Sequence, residues 1–383
     1  MAAGDAAVRR RAALLGLCRK VAPMADLLAR RDLFMRVGQA LMDLDDREFA
    51  KAIGDLPPYA RRGWGDSYRA EIGGFQVFVK RLPLTDLEYE HPDDTSNIFG
   101  LPDFYHYGVG SAGHGAFREL AGHRKTTAWV LDGAIESFPL LYHYRVMPRL
   151  QPSPDPRFRL DDYVRQWNGS EAVSTMMAAK AEAKYELCLA IEPFAYTLGA
   201  WLPANQGAVG TALDGLCRTL KYLRSADMVH FDAHAWNVVG NGDEWYLADF
   251  GLVLDDEFDL DDGERAFRRR HHHYDMGEMI ASLGSVLLAT LHALEAPTRQ
   301  RVEQRYGIAP SIAPDRALEA LLSRLDDLAA DSDLAIDPCM VDALARYRQV
   351  ILYMASVLSQ LRRNPRKDTD YDDAVLRSLL EAT

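Results

Sequence analysis

Cysteine is scarce in this chain of 383 residues: Cys18, Cys188, Cys217 and Cys339 are its only four, far apart and with no C-x-x-C pair. That spacing argues against a disulfide framework and for free thiols in a reducing cytoplasm. Basic excess is missing too. Lys and Arg number 44 against 56 Asp and Glu, a net charge of −12, whereas a protein that tracks nucleic-acid phosphates usually carries the opposite balance. No apolar run is long enough to span a membrane. The richest, residues 279–294, has 16 residues and follows Asp275 and Glu278, the pattern of a buried core helix. At the start, Arg9-Arg10-Arg11 precedes a short apolar stretch, but Arg19 and Lys20 follow at once and no cleavage site is evident. It reads as an amphipathic helix rather than a signal peptide. Repeats and low-complexity tracts are absent.

What is present changes period along the chain. Residues 6–53 read as helical, with Leu33, Val37, Leu41 and Leu44 at helical spacing, until Pro57-Pro58 stops them. Residues 68–72 and 76–79 read as strands joined by a Gly73-Gly74 turn. Residues 83–110, rich in Pro, Asp and Gly, read as a loop with one short element. A helix over 114–131 follows, then a strand over 138–147. Residues 161–184 read as helical, broken near Asn168-Gly169, before a buried strand over 185–191. Beyond it come a short helix over 198–202 and a longer one over 209–225. After Gly251 the chain reads as mostly helical.

The chemistry concentrates between residues 230 and 251. His230-x-Asp232-x-x-x-x-Asn237 is followed, after a short turn and strand, by Asp249-Phe250-Gly251. Phosphoryl transfer needs a carboxylate to position the accepting hydroxyl. It also needs an amide oxygen and a second carboxylate to hold magnesium against nucleotide phosphates. Asp232, Asn237 and Asp249 supply one of each, in that order.

With Val77-Phe78-Val79-Lys80 upstream, this order resembles the protein-kinase-like superfamily, in its bacterial serine/threonine protein kinase-like branch. The resemblance implies an α+β, bilobal protein-kinase-like fold. A helical N-terminal extension (1–58) would precede a small β-rich lobe (59–191, with an insertion at about 150–184) and a helical lobe (192–383). It implies ATP and Mg2+ as cofactors, with Asn237 and Asp249 on the metal and Asp232 and Lys80 catalytic. Lys80 would contact the α- and β-phosphates. Glu119 would pair with it, although the gap is longer than usual; Glu88 and Glu90 lie too soon after the strand. A solvated helix face is the alternative for Glu119. Glu192-Pro193-Phe194 would be the hinge, with Glu192 and Phe194 against adenine through the backbone. Gly63 and Gly65 would be the relic of a glycine-rich phosphate loop, or a plain turn. Asp275 would hold the catalytic loop by its backbone.

Departures from the pattern bear on the acceptor. Phe231 replaces the arginine that binds an activating phosphate, which predicts no such switch. An A-P-E is missing. Residues 255–264 are acidic and His271-His272-His273 follow three arginines; the triplet reads as solvated loop before metal site. His234, two residues after Asp232, makes a D-x-H-x-x-N that resembles aminoglycoside and choline phosphotransferases, unless it is a packing histidine. Gly251 points back to protein kinases. The leading expectation is therefore a phosphotransferase acting on Ser or Thr of a protein. A small-molecule kinase and an inactive nucleotide-binding pseudokinase are the alternatives, and transfer of AMP is a more distant one.

Overall fold

The computed structural model describes residues 27–54, 66–149 and 159–383. Gly63, Gly65, Cys18 and the arginine-rich start lie outside them. The elements in chain order are α1 (Leu27–Met42), α2 (Asp46–Gly54), β1 (Asp66–Ile72), β2 (Phe75–Leu84), α3 (Asp86–Glu90), α4 (Ala116–Asp132) and β3 (Leu141–Pro148). Then come α5 (Leu160–Gln166), α6 (Glu171–Glu182), β4 (Tyr185–Ile191), β5 (Tyr196–Thr197), α7 (Leu198–Trp201), α8 (Val209–Ser225) and β6 (Met228–Val229). The remainder is β7 (Val238–Gly240), β8 (Trp245–Leu247), β9 (Leu254–Asp255), α9 (Asp262–Arg270), α10 (Tyr274–Ala293) and six further helices, α11 to α16, ending at Glu381.

The small lobe is an antiparallel sheet in the order β1-β2-β4-β3. Its first hairpin closes through Gly73 and Gly74, both at positive φ (59° and 82°), as a two-residue turn with Ile72 opposite Phe75 demands. Strand alternation then sorts the faces. Val77, Val79, Cys188 and Ala190 pack with Val37, Leu41, Phe49 and Ile53 of α1 and α2. Leu82, Leu84, Leu187, Leu189 and Ile191 pack with Phe117 and Leu120 of α4. Lys80 has the parity of Leu82, so it points toward α4. Pro83 lies beyond Arg81, where β1 no longer pairs with β2, so it has a strand partner on the β4 edge only, an edge position of the kind where proline is tolerated.

The larger part is helical around α10, which is buried along most of its length. It is the one helix among the described residues long and apolar enough to cross a membrane, and most of that apolar stretch is buried inside the protein. The architecture is thus α+β and bilobal, of protein-kinase-like type.

Two expectations need correction. Residues 83–110 contain two short elements, α3 and a 3-10 turn at Asp103–His106, and the segment is not a surface loop. Leu101 and Tyr105 pack with Tyr163 of α5, Trp167 just after it, and Val173 and Met176 of α6 in a core of their own. The histidine triplet is a turn that is only partly solvated: His272 is exposed, but its two neighbours are held by the protein. His271 is buried, accepts from the Tyr107 hydroxyl at 2.7 Å and donates to the Phe267 carbonyl at 2.7 Å. His273 meets Asp373 at 2.7 Å.

Candidate active site

Three elements bring the predicted residues to one cleft between the lobes. From β2, Lys80 Nζ lies 2.6 Å from Glu119 Oε1 of α4 and 2.9 Å from Asp249 Oδ1. Glu119 is therefore not on a solvated face. Glu88 is buried as a helix cap: it accepts the Ala116 N–H at 2.8 Å and the Thr85 N–H at 2.9 Å. Burial pushes the Lys80 ammonium down, but Asp249 and Glu119 together lift it above the ordinary lysine value. Burial raises Asp249 as well, and Lys80 more than offsets this, holding the carboxyl at about 2. Glu119 responds differently: its burial outweighs Lys80 and leaves its pKa raised.

Residues 230–237 are fixed by hydrogen bonds to α10 and within the loop. Asp275 accepts the His230 N–H at 2.7 Å and the Phe231 N–H at 2.9 Å. His230 accepts the Asp232 N–H at its Nδ1 and faces the Ala248 carbonyl with its Nε2, at 3.2 Å. That fixes a neutral ring with the proton on Nε2; burial lowers its pKa to about 4. Phe231 and Asp249 both take left-handed backbone, φ 62° and 71°. Two non-glycine residues in that region concentrate local backbone strain beside Asp232 and at Asp249.

Asn237 donates Nδ2 to the Asp232 carbonyl at 3.0 Å and to Asp232 Oδ2 at 2.7 Å. Both partners are acceptors, so the amide cannot flip, and its oxygen is left for another ligand. His234 accepts the Asn237 N–H at Nδ1, 3.2 Å away, and presents Nε2 to Asp232 Oδ1 at 3.5 Å. It braces the loop and faces the carboxylate at once. Burial, the largest influence, raises the Asp232 pKa; Asp249 adds to this, while His234 and the Asn237 hydrogen bond oppose it.

These residues line one cavity of about 580 Å³. Phe78, Pro139, Ile191 and Val239 give it apolar lining, and Lys80, Asp232, His234, Asn237 and Asp249 its charged and polar lining. Glu192 and Phe194 line it too. The Glu192 carboxylate is occupied: Arg30 of α1 forks onto it at 2.7 and 3.2 Å. The Glu192 N–H donates to the Leu140 carbonyl at 2.9 Å, and the Phe194 carbonyl accepts from Arg69.

No protein-family model matches the chain. No curated protein matches it either. Among solved structures it is similar to "WaaP in complex with acyl carrier protein", at 11% identity and a TM-score of 0.34, over 83% of this chain and 92% of that one. So loose a likeness carries no residue role and no substrate.

Several residues at the site escape a reading of the sequence. Arg30 acts across 162 residues and no motif marks it. Gly108 lies so close to the catalytic loop that a Cβ there would stand 2.1 Å from Asp232 Oδ1. The run Gly108-Val109-Gly110-Ser111-Ala112-Gly113-His114-Gly115 was a visible signal, since clustered glycines mark close backbone approach. Lys180 also lines the cavity. His106, His114 and Glu264 cluster closely enough to suggest a metal. Two facts weigh against one: Arg118 occupies both Glu264 oxygens at 2.6 and 3.1 Å, and the two imidazoles stack face to face, 3.5 Å apart. The cluster instead supports the loop after Asp249. The His114 N–H reaches the Gly251 carbonyl at 3.3 Å, and His106 Nδ1 reaches that of Leu252 at 3.1 Å.

Proposed function

We propose that the protein is an ATP- and Mg2+-dependent phosphotransferase that moves the γ-phosphoryl group to a hydroxyl. The observation that carries this reading is the convergence of the Lys80–Glu119–Asp249 ion cluster with the Asp232–Asn237 pair on one cavity. The small lobe (59–191) would cover the nucleotide and the helical part (192–383) would hold the reacting end. Lys80 would bind the α- and β-phosphates. Asn237 Oδ1 and Asp249 form a hard-oxygen donor set suited to Mg2+, which when bound neutralises phosphate charge. Asp232 would orient the acceptor hydroxyl. The acceptor oxygen forms its bond to the γ-phosphorus as the bridging P–O bond to ADP breaks, and Asp232 takes the hydroxyl proton late. Positioning and charge stabilisation do the rest.

A Ser or Thr side chain is the acceptor that the D-F-G resemblance favours. A small-molecule hydroxyl is favoured by a specific observation: the Gly108 backbone lies over Asp232, and His234 faces the same oxygen. A slender acceptor fits such an approach better than a folded protein surface. The test uses γ-labelled ATP, Mg2+ and cell lysate, with Asp232→Ala beside the native chain. Asp232-dependent label on protein supports the first acceptor, and label on a metabolite supports the second. Label in neither fraction from a folded, ATP-binding protein would leave the inactive nucleotide-binding reading.

A further inference from the structure

The cavity that holds Lys80 and Asp232 is also lined by a second lysine, from outside the segments that carry the sequence motifs. Lys180 of α6 enters it together with Ser111, Ala112, Gly113 and Gly115 of the loop before α4. Lys180 Nζ donates to the Ala112 carbonyl at 2.7 Å. A carbonyl satisfies one of the three donors of an ammonium but carries no full countercharge. The carboxylates that act on Lys180 are those of Glu88 and Glu119, and both are committed elsewhere. Glu88 holds the Ala116 and Thr85 N–H groups, and Glu119 holds Lys80 at 2.6 Å. Burial lowers the Lys180 pKa despite the pull of those two acids, and Lys80 lowers it further. A partly desolvated cation thus faces the cavity beside Lys80, with no carboxylate at ion-pair distance among the described residues. Desolvating a charge without a partner is costly, and a bound anion removes that cost.

We propose that Lys180 and the loop 111–115 form a second anion subsite of the cleft, which takes a phosphate-type anion from the nucleotide's terminal phosphate or from the acceptor. The inference rests on the reading of this cleft as a nucleotide-phosphate site, and it assigns the α5–α6 insertion a part in binding.

Calorimetry on the full chain tests it, with Mg·ATP, Mg·ADP and inorganic phosphate as probes. The native protein is compared with Lys180→Met, Lys180→Gln and Lys180→Arg, and melting temperatures verify folding. Neutral variants lose affinity about tenfold or more for the anion that Lys180 binds, as expected for a charge-assisted hydrogen bond; Lys180→Arg retains most of it. If ATP weakens while ADP does not, the terminal phosphate is the source. If both nucleotides hold, but inorganic phosphate no longer binds protein saturated with a non-hydrolysable ATP analogue, the source is the acceptor. Affinities within twofold for every probe overturn the subsite and leave the nucleotide reading standing. A native protein that ignores nucleotides yet binds phosphate through Lys180 does the reverse. Binding of neither overturns both.

Discussion

At the scale of the residue, the cleft is a balance of buried charges, and each predicted variant shifts it in a definite direction. Lys80→Ala removes the cation shared by Glu119 and Asp249. Glu119 already has a raised pKa because burial outweighs Lys80, so without the lysine it becomes neutral rather than unfolding the lobe. Turnover then falls on the order of 10²–10³-fold, the size seen when one charge-stabilising donor is lost, while the melting curve keeps its shape. Loss of folding would mean that Lys80 is structural. Asp249→Ala abolishes magnesium-dependent nucleotide binding, and unchanged binding would sink the metal assignment. The acid limb of kcat/KM gives a third test. Asp232 has a raised pKa, so it takes up its proton at higher pH than an ordinary aspartate, and activity fails sooner as pH falls. A limb at the ordinary aspartate position would contradict this. Lys80, Asp232, Asn237 and Asp249 were legible because short spacings encode them. Arg30 and Lys180 were not, because their role depends on partners 162 and 68 residues away.

At the scale of the element, α4 is fastened to the acidic stretch that follows Asp249. Arg118 forks onto Glu264 of α9, Lys125 reaches Asp255 and Glu257 at 2.8 and 3.0 Å, and Phe250 would stand 2.7 Å from a Cβ at Gly122. The acidic stretch 255–264, opaque in the sequence, is thereby largely explained. The pairing partners sit on α4, and Asp261 and Glu264 form the capping box that starts α9. Phe231 fits the same picture. Where an arginine would await a phosphate, a buried ring packs on Phe267, His271 and Tyr274. Burial alone would raise Glu264, but His106 and Arg118 hold it at about 2. Its folded pKa lies below the ordinary glutamate value. Its contribution to stability is therefore complete above that value and is lost as pH falls toward 2. Glu264→Gln flattens this part of the stability–pH curve, as denaturation at stepped pH will register; an unaltered slope would place the pair outside the acid transition. The strands and most helices were readable because periodicity is local. The buried segment 101–107 was misread because its aromatic residues find their partners on α5, α6 and α9, which no local period announces.

At the scale of the whole molecule, the helices before Pro57 do more than cover the back of the sheet. Arg30 is 1% exposed and gathers four acceptors from the segment before β3 and from Glu192 after β4. It donates to both oxygens of Glu192, to the Phe138 carbonyl at 2.7 Å and to the Glu136 carbonyl at 2.7 Å, and it lies 4.8 Å over the Tyr246 ring. Glu192 in turn accepts the Leu140 N–H at 3.0 Å. One guanidinium therefore ties α1, the segment between α4 and β3, Glu192 at the end of β4, and β8. Desolvation opposes the charge on Arg30, and Glu192 more than offsets it, so its pKa is raised. A buried pair of this kind gives little net stability over an apolar replacement, but removing one partner strands the other. Arg30→Ala should accordingly cost about 3–5 kcal/mol, measured by chemical denaturation. Glu192→Gln should cost less, because the amide oxygen still accepts from Arg30. In a double-mutant cycle the two changes should be strongly non-additive. Ile191, Glu192 and Phe194 line the cleft and Arg30 holds Glu192, so Arg30→Ala should weaken Mg·ATP in conditions where the protein is still folded. A variant with full stability and full nucleotide affinity would reduce the N-terminal helices to a cover. A variant that loses both would make them part of the nucleotide site, although nothing in their sequence resembles one.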